Sequence, residues 1–114
     1  MINKDQVEKI ANDTASTVTE VIQSAAAVRG EHFANIVSCI FNFHAMSKGL
    51  AIMVSMSNDK AYAEDLAYKL LTVIAQASST MLDTIETDEL QEEAWNMVIS
   101  LADRVDEAER RING

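Results

Sequence analysis

One cysteine, three glycines and no proline stand in a chain of 114 residues, and its nine basic residues face eighteen acidic ones. A lone cysteine excludes a disulfide framework within the chain. Three scattered glycines exclude a glycine-rich loop of the kind that cradles phosphates. The scarcity of Lys and Arg argues against direct binding of nucleic acid, which needs clustered cations to neutralise the backbone. No serine stands in a Gly-x-Ser-x-Gly elbow. His32 and His44 have no Glu three residues before them, which a carboxylate-bridged di-iron site in a helical bundle requires. His32, Cys39 and His44 are spaced by seven and five residues, which cannot bring them to one metal on a straight helix. No stretch alternates with period two, so no strand is expected. No cofactor or metal is implied.

What the chain does have is apolar residues, at 48% of the total, which excludes general disorder. At 12.5 kDa, a folded monomer should show roughly 6,200 Å² of surface, against roughly 18,000 Å² unfolded. That is enough for one modest core and one domain over residues 1–114.

Apolar residues recur at helical spacing almost throughout. Val7, Ile10, Val18, Val21, Ile22 and Ala25 mark a first helix over about 4–28. Asn3 and Gln6 have the spacing of a capping box, and Gly30 is a natural stop. A second helix is expected over about 31–56, running through Gly49. Ser57-Asn58-Asp59 is a turn that can cap a third helix over about 59–82. Thr84 to Thr87 is a short connection, and Thr87 caps a fourth helix over about 88–112. The expected fold is all-α, an antiparallel up-and-down four-helix bundle roughly 35–40 Å long.

The second helix is unusual. From 33 to 56, 16 of 24 residues are hydrophobic, and its polar stripe is narrow. Asn35, Asn42, His44 and Lys48 would each be costly in a bilayer, Lys alone by ~2.5–3.5 kcal/mol, so a buried helix is preferred to a membrane-associated one. Every helix of a lone four-helix bundle is peripheral and should keep a solvated face. The expected remedy is a homodimer, with Phe33, Ile36, Ile40, Phe43, Leu50 and Met53 forming the self-association surface. On the fourth helix, Trp95, Ile99 and Ala102 share a shoulder that suits either a core flank or an interface anchor.

Charge is lopsided. Residues 58–114 hold five bases and thirteen acids. Glu86, Glu89, Glu92 and Glu93 form the densest run, with Asp83 and Asp88 beside them. The ordinary reading is a solvated turn that favours the positive end of a helix. The sharper one is a patch for a basic protein partner, or a mimic of a nucleic-acid backbone. Glu86-x-x-Glu89 and Asp103-x-x-Asp106 also loosely match the Mg²⁺-binding carboxylates of all-α nucleotide pyrophosphohydrolases. Glu89 and Asp103 would lie ~21 Å apart on one helix, too far to share a metal.

With no secretory signal at Met1 to Gln6 and a lone Cys39 in an apolar run, a cytoplasmic location is expected. The function expected is therefore that of a small acidic, non-enzymatic protein. It would bind another macromolecule as an adaptor, regulator or inhibitor.

Overall fold

The structure is a computed structural model that describes residues 2–113. It is all-α, with four helices packed as a bundle and no strand among the described residues: α1 Lys4–Arg29, α2 Glu31–Met56, α3 Lys60–Asp83 and α4 Asp88–Asn113. Their ends differ from the expected bounds by a residue or so.

Local chemistry accounts for the boundaries. At α1, the Asn3 side chain accepts from the Gln6 backbone N–H, and the Gln6 side chain accepts from the Asn3 N–H, both at 2.9 Å. Gly30 alone links α1 to α2, at φ +94° and ψ 161°. Its N–H donates to the Ala26 carbonyl at 3.0 Å and its own carbonyl accepts from the Ala34 N–H at 3.2 Å. A side chain at that φ would be strained, so a one-residue link calls for glycine here. Asp59 caps α3 by accepting from the Tyr62 N–H at 3.1 Å. Thr87 caps α4 by accepting from the Leu90 N–H at 3.2 Å. α2 passes through Gly49 unbroken.

The core lies where three helices meet. α2 supplies Phe33, Ala34, Ile36, Val37 and Ile40, α4 supplies Ala94, Val98 and Leu101, and α1 supplies Ala25. Ile85, in the short connection, is also buried there. α3 buries only Ala67 fully.

Two features depart from expectation. First, α2 is not peripheral: it touches all three other helices, while α1 and α3 do not touch. Its first half is enclosed by its own chain, so Phe33, Ile36 and Ile40 belong to the core of one subunit and leave the self-association surface. Second, the bundle is flat. It measures 45 × 38 × 16 Å with a radius of gyration of 16.2 Å, where about 13 Å is usual for this length. Its accessible surface is 7888 Å², about 1,700 Å² more than a compact monomer of this mass shows.

Candidate functional site

Exposed apolar side chains gather in two places. The first is the second half of α2 with the neighbouring part of α3. Past Ile40, no residue of α2 is fully buried. Met53 is 60% exposed and Met56 is 78% exposed. Leu50 and Met53 border Tyr62, Leu66 and Ala67 of α3 along one shallow seam. Tyr62 and Leu66 are exposed along it, and Val73 is exposed further along α3.

The second is a groove between α3 and α4, with α2 as its floor, and a volume of about 660 Å³. α3 and α4 touch only sparsely, which leaves the groove open. Ile40, Phe43 and Val98 form the floor, Leu71, Ala75 and Ser78 stand on the α3 wall, and Trp95, Ile99, Asp103 and Asp106 on the α4 wall. Trp95 and Ile99 are nearly half exposed and border the groove, while Ala102 on the same shoulder is buried. His44 also lines the groove, and its Nε2 is buried without a hydrogen-bond partner.

Ion pairs tie the framework together. Arg29 donates from Nε to Oε1 of Glu93 at 3.1 Å and its Nη2 lies 3.1 Å from Oε2, pinning the end of α1 to the start of α4. Lys48 of α2 binds Asp106 and also Glu109, the latter at 3.0 Å, both on α4. The hydrogen bond from Lys48 holds the Asp106 carboxyl below its ordinary range, and the same bond raises the Lys48 ammonium. His32 Nε2 lies 2.9 Å from Oγ1 of Thr84, joining the start of α2 to the end of α3.

The acidic run divides. Glu86, Glu89 and Glu92 are exposed and carry no ion pair among the described residues, whereas Glu93 is held by Arg29. Of the self-association residues, Phe43, Leu50 and Met53 remain at or near the surface. Glu89 and Asp103 lie on the same helix, and Asp106 is engaged by Lys48. No group of three or more His, Cys, Asp or Glu side chains is gathered as a metal site among the described residues. Cys39 is an exposed free thiol. α2 is also the one helix, among the described residues, long and apolar enough to cross a membrane by length and composition.

The groove and the Arg29–Glu93 pair escape sequence reading, because their residues come from separate helices. The sequence signal nearest to the groove is the shoulder of Trp95, Ile99 and Ala102. The class that fold and site define is an all-α helical bundle with exposed apolar surfaces. No protein-family model matches the chain, and no curated protein or solved structure matches it significantly.

Proposed function

We propose that the protein is a non-enzymatic helical interaction protein that works as a homodimer. Its helices run antiparallel in sequence, up and down. The His32–Thr84 contact at one end of the α2/α3 pair and the Leu50–Ala67 seam nearer the other support that direction. The Arg29–Glu93 and Lys48–Asp106 pairs fit α4 running alongside α2.

One observation carries the dimer: the apolar surface left open on the second half of α2 and on α3. A standard interface removes ~800 Å² from each partner, and obligate homodimers remove more. The chain exposes about 1,700 Å² more than a compact monomer of its mass, and the share of that surplus on α2 and α3 is available for such an interface. The self-association surface is then Leu50 and Met53 with Tyr62 and Leu66, while Phe43 faces the groove between α3 and α4. An exposed thiol at Cys39 suits a reducing, cytoplasmic compartment.

Light scattering tests this directly. Wild type at micromolar concentration is expected near twice 12.5 kDa, and the Met53→Asp, Leu66→Asp double variant near 12.5 kDa with its helical content intact. Ile40→Asp is unsuitable, because Ile40 is in the core and its loss would unfold the subunit. A monomeric wild type overturns the proposal.

A basic protein partner at the acidic end is the second reading, favoured by the three unpaired, exposed carboxylates Glu86, Glu89 and Glu92. Reversing their charge is expected to weaken such binding and flatten its salt dependence. Unchanged affinity eliminates the patch.

A further inference from the structure

We infer that the groove between α3 and α4 receives an amphipathic helix from a partner protein, with Lys or Arg along one flank of that helix. The inference rests on the chain being an interaction protein, and it does not depend on the dimer.

The two walls of the groove differ in kind. On the α3 side, residues 70–82 contain no ionisable side chain. Of the residues in this stretch that line the groove, Leu71, Ala75 and Ser79 are exposed, and a helix face that remains in water normally carries charge. An uncharged, half-exposed stretch of this length is the surface of a helix that is meant to be covered. Leu71 and Ala75 present it to the groove, and the small side chains of Ala75 and Ser78 leave room for a neighbouring backbone.

On the α4 side, Asp88, Glu92, Trp95, Ile99, Asp103 and Asp106 recur at spacings of three and four, so they share one face of the helix. No base falls between 88 and 103. This face is apolar in the middle, at Trp95 and Ile99, and acidic at both ends. Of its four carboxylates only Asp106 has a cationic partner among the described residues, Lys48.

A helix with its side chains is ~10–12 Å across, and helix-in-groove recognition seats apolar anchors at i, i+3 or i+4, and i+7. The apolar floor and Trp95 fit such anchors. Charge then selects the occupant. One wall is neutral, and the other carries Asp103, unpaired among the described residues, at the groove with Glu92 one turn before Trp95 on the same face, so the matching helix is cationic on a single flank. A second copy of this chain would bring a net charge of −9 to the acidic wall, and an anionic lipid surface or nucleic acid would be repelled in the same way.

Trp95 is the only tryptophan in the chain, so its emission reports the groove and nothing else. The probe is a tryptophan-free designed peptide of about 18 residues, long enough to hold a helix, with Leu at helical spacing and Lys elsewhere. Its controls are the same peptide with Glu for Lys and a scrambled-order Lys peptide. The Leu/Lys peptide is expected to shift Trp95 emission to the blue and to saturate, while both controls leave it unmoved. Ala75→Gln, which narrows the groove without adding charge, should weaken binding by about tenfold or more and leave the molar mass unchanged. Glu92→Gln with Asp103→Asn should lower affinity and flatten its salt dependence. Equal binding by the Glu or the scrambled peptide overturns the inference, as does binding indifferent to Ala75→Gln. A drop in molar mass on Ala75→Gln also overturns it, because a second copy would then be the occupant. A monomeric wild type that still binds the Leu/Lys peptide refutes only the dimer.

Discussion

Truncating Met53 to Ala measures whether the second half of α2 is covered in solution. Met53 is 60% exposed in one subunit. Full burial of a methionine stabilises a fold by ~1.5–3 kcal/mol, so the fraction buried within a lone subunit accounts for about 1 kcal/mol. Under a second copy the same truncation empties a filled interface, and Met→Ala at fully buried sites costs ~2–5 kcal/mol. Leu101 is the internal standard, since it is 0% exposed within the subunit, and Leu101→Ala should cost ~2–5 kcal/mol whatever the assembly. The assay is urea unfolding of wild type and both variants at ~1 and ~100 μM. For a dimer that unfolds to two chains, the hundredfold change in concentration adds ~2.7 kcal/mol. With a slope of ~3 kcal/mol/M for two chains together, the midpoint moves by about 1 M. An interface also makes the Met53→Ala loss comparable to that of Leu101→Ala. A midpoint independent of concentration, with a Met53→Ala loss below ~1 kcal/mol, would refute the reasoning.

The two interior glycines should respond in opposite senses to the same change. Gly49→Ala adds a methyl group in open space inside a helix and should raise stability by ~0.5–1 kcal/mol in thermal or urea unfolding. Gly30→Ala also meets nothing within 4 Å, yet φ +94° makes it a loss of ~1–3 kcal/mol, and equal effects at both positions would remove the backbone argument. The Lys48–Asp106 pair sets part of the acid limb. Lys48 lowers the Asp106 carboxyl in the folded state, so its contribution is complete above the ordinary value of 3.8 and is lost as pH falls through the lowered value. The pair is partly exposed and worth only ~0.2–1 kcal/mol. Asp106→Asn should therefore flatten the decline of stability at acid pH by that amount, and identical acid limbs would exclude the pair as a contributor.

The helices were legible because each carries its own signals. Asn3 with Gln6, Asp59 and Thr87 act through neighbours three residues away, a distance that sequence displays. Ile85 shows where that legibility stops. It lies in a four-residue connection where the 3.6-residue period is broken, so no stripe includes it, yet it is buried in the core, and its carbonyl accepts from the Gln91 side chain at 2.9 Å. Arg29 and Glu93 are 64 residues apart. Their pairing depends on how α4 crosses α1, which neither helix encodes alone. For that reason Glu93 looked equivalent to Glu86, Glu89 and Glu92, although it serves as an internal brace.

The apolar circumference of α2 posed a different problem. Periodicity assigns a residue to a face of a helix, but it is silent on how far along the axis a neighbour extends. Phe33, Ile36 and Ile40 look no different in pattern from Phe43, Leu50 and Met53, since all six belong to one continuous apolar surface. The division between them runs across the helix and not along it. Up to Ile40 α2 carries fully buried residues, and beyond it none. Hydropathy therefore measured correctly that α2 has more apolar surface than a peripheral helix can hide. It could not apportion that surface between the subunit's own core, the seam with α3, and the groove beside Trp95. The apportionment matters for function, because only the latter two remain available to bind anything.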